Sequence, residues 1–264
     1  MIRKQLRPHE FRERLLSIMD RKHHWAWPHF TGNSLTKDQL KIHFQQEYAV
    51  YVRDFPVLLA RTLGKNPPLE VRTILAQNIY EEETGGLTVG RSHPELFLTM
   101  MMGLGYDRTE FQQMALLPSS RSYRSWLDAI SMKRHWLLGA TALTIFVEGS
   151  VNDRQEILSP AKPKTTEEIE DVVSLHPLVQ HHGLSSDSLD LVRAHQMVEA
   201  AHRHAAYKIV VAHAVKPGQQ QAVIDCLTEA LRRWLRYRDG IARACGLRKA
   251  SMDIGRTTAV RESH

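Results

Sequence analysis

A chain of 264 residues, 42% of them hydrophobic, can bury one sizeable core, so a single domain over residues 1–249 with a flexible tail at 250–264 is the expected organisation. The formal charge of +6 permits an acidic partner without requiring one. The excess collects in one run (Arg232, Arg233, Arg236, Arg238, Arg243, Arg248, Lys249) that reads as a solvated helix face rather than a nucleic-acid surface.

Helical periodicity dominates and no strand alternation is convincing. Residues 8–22 form a short amphipathic helix on Phe11, Leu15, Leu16 and Met19. The segment HHWAWPHFTGN is a loop broken by Pro28 and Gly32. Thr36 with Gln39 makes a capping box for a long helix through about Leu63, kinked at Pro56, with an inner stripe of Phe44, Tyr48, Tyr51, Phe55 and Leu58. Pro67 and Pro68 open the next helix, whose stripe runs Val71, Leu75, Asn78, Glu82 until Gly85-Gly86 stops it. Ser92 with Glu95 caps a helix from His93, and Asp107 with Glu110 caps a short one. A long helix from Ser122 to Glu148 follows. It contains the longest apolar run, Trp136–Val147, which is too short to span a bilayer, and residues 1–20 lack a signal core. A short helix near Thr166–Leu175 stops before Pro177, and Gly183 makes a further break. A helix over Leu189–Val210 and a last one from Gln219 to Cys245 complete an antiparallel bundle. Cys226 and Cys245, with no C-x-x-C spacing, fit neither a disulfide framework nor a structural zinc site, and a reducing cytoplasm is the expected location.

The chemistry concentrates on Leu189–Val210. His195, Glu199 and His202 recur at spacings of four and three, which puts them within about 60° on one helix face. Two imidazoles and a carboxylate on one stripe make a poor core and a good partial shell for a first-row transition metal. The alternative is a polar outer face, although Leu191, Val192, Val198 and Ile209 flank the stripe on both sides. Acids also interrupt other inner stripes. Glu82 follows Val71, Leu75 and Asn78, Glu148 closes Leu137, Thr141 and Ile145, and Glu47 lies a turn from Phe44 and Tyr51. Carboxylates buried singly are costly, so acids on separate helices imply a shared cation. Glu199-Ala-Ala-His202 matches one half of a ferritin-type pair of motifs, but no second Glu-x-x-His occurs, which disfavours that fold.

The ordered set LTKDQL…EYAVYVRDFP, LEVRTILAQNIYEEETGG…SHPELF…GLG, FVEG and H-x-x-x-E-x-x-H resembles the haem-oxygenase-like di-iron oxidases, a family related to pyrroloquinoline-quinone synthase and para-aminobenzoate synthase-like proteins. The resemblance covers about Pro8 to Ala212. It implies an all-α, seven-helix haem-oxygenase-like bundle around two iron ions, or iron with manganese. The ligands it implies are Glu47, Glu82 (Glu83 if the register slips by one), His93, Glu148, His195, Glu199 and His202, with Glu82 bridging. The pocket would be Phe44, Tyr48, Tyr51, Ile145 and Trp27. Similar members usually carry Asp where Glu199 stands, so occupancy of the second metal site depends on the longer arm. Members that make para-aminobenzoate from their own side chain carry tyrosines where this chain has Trp27 and Val147, which argues against that self-sacrificing reaction here. Thiaminase-like members use a cysteine that the inward helices before Cys226 lack. True haem oxygenases need an N-terminal axial histidine, for which His23, His24 and His29 are available, but also a glycine-rich distal helix that is missing.

The expected function is an O2-activating oxidoreductase acting on a small amine, amino-acid, fatty-acid or aromatic substrate. It would draw electrons from an external donor, because no dinucleotide motif is present. A cofactor-independent quinone-synthase-like oxidase and a non-catalytic helical binding protein are the alternatives. The basic last helix could face a second subunit in a homodimer.

Overall fold

The computed structural model describes residues 4–160 and 162–249, with the side chains of residues 199 and 200 left out. Residues 250–264, read above as a tail, lie outside the described residues. The described chain is helical without strands, as expected, but the bundle is cut into more separate helical segments than seven.

In chain order α1 is Pro8–Met19, α2 Trp27–Phe30, α3 Lys37–Glu47, α4 Phe55–Leu63, α5 Leu69–Thr84 and α6 His93–Gly103. After these come α7 Pro118–Lys133, α8 Trp136–Ala140, α9 Asp153–Leu158, α10 Thr166–Ser174, α11 Pro177–His182, α12 Asp190–His213 and α13 Pro217–Ala244. The capping box at Thr36 and Gln39 forms in both directions, and Asp107 with Glu110 caps a 3₁₀ turn in the same way. Gly85 ends α5 at φ 61°, where a Cβ would lie 2.2 Å from the Arg91 carbonyl oxygen, so no other residue fits that turn.

Two expected long helices are broken, each for a local reason. The helix read from Ser122 to Glu148 stops at Lys133, because His135 turns its ring back to accept a hydrogen bond from Leu137 N and starts α8 afresh. The helix read through Leu63 stops at Glu47, and Pro56 sits in the first turn of a new helix rather than at a kink. In both cases a π-helical stretch is inserted next to a candidate acid: Tyr48–Val52 directly after Glu47, and Thr141–Val147 directly before Glu148. The five-residue bonds Arg53 N–H to Tyr48 O (3.0 Å) and Glu148 N–H to Leu143 O (3.3 Å) mark the wide turns.

Apolar residues of α13 (Val223, Leu227, Ala230, Leu231, Trp234, Tyr237, Ile241) recur at three- and four-residue spacing and pack on α1, α3, α7 and the second π stretch. On the other side of that π stretch, α12 packs against it and against α5, α6, α8 and α9. Both α12 and the π stretch therefore lie at the centre of the bundle. No described helix is long and apolar enough to cross a membrane.

Candidate metal centre

Acids and imidazoles from four parts of the chain line one cavity of about 160 Å³ between α5, α6, α12 and the end of the second π stretch. α5 contributes Glu82, α6 His93, the π stretch Glu148, and α12 His195, His202 and Arg203. Tyr51, Val52, Phe55, Val147, Leu191 and Val198 make its apolar wall.

Each acid reaches the cavity by a traceable route. Val71, Leu75 and Asn78 bury one face of α5, and Glu82 continues that face inward while Glu83 is exposed, so the register slip allowed above does not occur. Asn78 donates from Nδ2 to Glu148 Oε1 at 2.6 Å, which fixes the orientation of the second acid from the neighbouring helix. Glu81, which the sequence reading passed over, has no exposed surface. The loop after Gly85 holds it: Leu87 N–H donates to Oε2 at 2.7 Å and the Thr88 hydroxyl donates to Oε1.

His93 lies between two carboxylates, with Nε2 3.3 Å from Glu81 Oε1 and Nδ1 3.1 Å from Glu82 Oε1. Burial works to lower its pKa, but hydrogen bonding and charge from Glu82, and then from Glu81, outweigh that and raise it. Because Glu81 is already held by the loop, it orients the ring, and the Nδ1 side faces Glu82. The rings of His93 and His195 meet edge to face with centroids 5.0 Å apart. Arg203 also enters the cluster and pairs through Nε with Glu156 of α9 at 2.5 Å. A basic residue next to His202 on a stripe read as acid and imidazole was the sequence signal for it.

The structure thus brings together Glu82, His93, Glu148, His195 and His202. The side chain of Glu199 lies outside the described residues. Glu47 does not line this cavity. It forms an ion pair with the buried Arg238, accepts from the Tyr51 hydroxyl at 2.9 Å and lies 3.8 Å from His43 Nε2. Burial tends to raise its pKa, yet the Arg238 charge, with His43 and Tyr51, holds it below the usual range. An arginine therefore supplies the counter-charge that the sequence reading assigned to a metal.

The expected pocket residues are corrected in the same way. Tyr51 lines the cavity and Trp27 lines a neighbouring one, but Phe44, Tyr48 and Ile145 line neither. Tyr48 stacks on Phe97 at 5.4 Å and Phe44 meets the same ring at 6.1 Å. The inserted π turn after Glu47 rotates Tyr51 and Phe55 away from the face that carries Phe44 and Tyr48, so one stripe in the sequence becomes two faces.

Two or more carboxylates with three imidazoles are a donor set that suits iron in type and charge. Among the described residues no three of these donors already converge on one point at binding distance.

The chain is similar to several known proteins. Over 244 residues the chain is 23% identical to the 4-aminobenzoate synthase of Nitrosomonas europaea, covering 88% of this chain and 90% of that protein. In fold it is similar to a TenA homolog from Pseudomonas syringae pv. tomato (TM-score 0.65, 13% identity, 92% of this chain and 99% of that one). It is also similar to a domain of unknown function with a heme oxygenase-like fold from Shewanella denitrificans (TM-score 0.60, 15% identity, 90% and 89% covered). A family model described as iron-containing redox enzyme matches residues 42–235, which include every acid and imidazole of the cavity, and the chain belongs to that family.

Proposed function

We propose that the protein is an O2-activating oxidoreductase that holds two iron ions in the cavity between α5, α6, α12 and Glu148. The observation that carries this reading is the meeting of Glu82, His93, Glu148, His195 and His202, drawn from positions up to 120 residues apart, around one apolar-walled space. Glu82 and His93 would hold one side of the centre, and Glu148, His195 and His202 the other. Reduced iron, when bound, supplies the electrons that activate O2. The chain itself keeps Glu148 aimed through Asn78 and the His93 ring fixed through Glu81. Val52, Phe55, Leu191 and Val198 exclude bulk water from the acids, which strengthens their hold on a cation.

The similarity to a 4-aminobenzoate synthase supports oxidative chemistry on a small molecule. Trp27 and Val147 stand where tyrosines occur in members that consume their own side chain, so the reading here is an external substrate. The test is anaerobic loading with ferrous iron. About two ions per chain are expected for wild type, and fewer than about one for His195→Ala or Glu148→Gln. Oxygen consumption on air exposure should follow iron content. Wild type that binds no iron, or variants that load like wild type, would refute the proposal.

A further inference from the structure

A second cavity of about 320 Å³ adjoins the first, and the two share Tyr51 and Val147 as a common wall. The division of volume matters. The first space, about 160 Å³, suits ions and O2, whereas the second reaches the range of pockets that enclose an organic ligand, roughly 300 Å³ and above. Neither the acids nor the imidazoles of the metal cluster line the second space.

Its lining combines flat rings with two cations. Trp27, Phe146 and Trp234 supply π faces. The Arg238 guanidinium lies 5.1 Å from the Trp27 ring centre and 5.3 Å from that of Trp234, and the Lys22 ammonium lies 4.8 Å from that of Phe146. Lys22 is anchored by donating to the Phe146 and Gly149 carbonyl oxygens, both at 2.5 Å, which places its charge at the cavity edge.

The Arg238 side chain is only 5% exposed and divides its donors unevenly. One terminal nitrogen faces Glu47 and the other lies 3.3 Å from His43 Nδ1, while the Nε–H is buried with no hydrogen-bond partner among the described residues. A buried donor left unsatisfied is costly, so it marks a place where an acceptor from outside the chain would be bound. The open donor belongs to a guanidinium, and a charged donor favours an anionic acceptor over a neutral one.

We propose that this second cavity is the substrate chamber and that it takes a flat aromatic carboxylate. The ring lies among Trp27, Phe146 and Trp234, and the acid group accepts from Arg238 Nε–H. The wall formed by Tyr51 and Val147 separates the ligand from the acid and imidazole cluster. The chamber's role as a substrate site rests on the oxidoreductase reading above, whereas its ligand chemistry does not.

The experiment titrates the iron-free full chain with benzoate and indole-3-acetate, and with benzamide and cyclohexanecarboxylate as controls. Calorimetry and tryptophan fluorescence are the readouts. The aromatic acids should bind at least about tenfold more tightly than either control. Val147→Phe, which fills the chamber from its wall, should weaken binding of the acids at least about tenfold without changing helix content. Glu47→Gln combined with Arg238→Gln removes the pair without leaving one charge buried alone, and should cause a similar loss. If that double variant fails to fold, Val147→Phe decides.

Benzamide binding as tightly as benzoate would overturn the anionic assignment, and no binding of either acid, or unchanged affinity in a folded Val147→Phe, would overturn the chamber. Acid binding by a protein that never loads iron would sink the oxidoreductase reading and leave the ligand site standing. Iron loading without acid binding would do the reverse.

Discussion

His43 shows how far one residue's environment departs from its ordinary chemistry. It is buried, stacked on Phe30 at 4.4 Å and set against Arg238, and burial, the dominant influence, pushes its pKa down to about 4. Glu47 works in the other direction but does not offset the desolvation. The folded chain therefore binds this proton less readily than the unfolded chain, whose histidine titrates near about 6.5. Stability contributed here is intact above about 6.5 and falls as the pH drops from about 6.5 toward about 4, by roughly 3 kcal/mol in all. Urea unfolding of wild type and His43→Gln at a series of pH values checks this. The variant should lose the part of the acid sensitivity that lies in that window, and an identical pH profile for the two proteins would contradict the assignment.

At the scale of elements, the two π stretches determine which side chains reach the centre. A regular α-helix through Thr141–Val147 would carry Glu148 round by about 100° for each residue of phase. Deleting Ala142, one residue inside that stretch, should restore an α-helical turn and swing Glu148 out of register with Asn78 and His195. The expected result is near-wild-type helix content by circular dichroism, with at least about half of the iron capacity lost. Full iron loading in the deletion variant would show that the π turn is incidental to the site. The other π stretch explains why Tyr51 and Phe55 line the cavity while Phe44 and Tyr48, about two turns and one turn before Tyr51, pack on Phe97.

For the whole molecule, the acids and imidazoles of the cavity come from segments that only folding brings together, so iron binding to them would be coupled to folding. Ferrous iron that binds the folded chain at about a hundred times its dissociation constant should add about 2.7 kcal/mol. For a domain of this size that corresponds to a rise of roughly 5–10 °C in anaerobic thermal unfolding. His202→Ala should shift much less, since one donor on α12 is removed from the shared site. A wild-type Tm that does not respond to iron would mean that the centre does not assemble as described.

The all-helical class, the caps at Thr36 and Asp107, the stop at Gly85 and the inward path of Glu82 were all readable in the amino-acid order, because each depends on spacing and on local backbone chemistry. The polar side chains of α5, α12 and Glu148 that line the cavity also stood out, against an apolar period, whereas His93 of α6 came only from the family resemblance. Other features were decided by contacts between distant segments. Arg238, 191 residues away, neutralises Glu47, and a loop returning from Gly85 claims Glu81. Wide π turns changed the phase of two helices that a constant 3.6-residue period would keep continuous. A carboxylate in a sequence carries the same charge whatever meets it. Only the packed chain determines whether that charge faces an arginine, a backbone loop or the shared cavity.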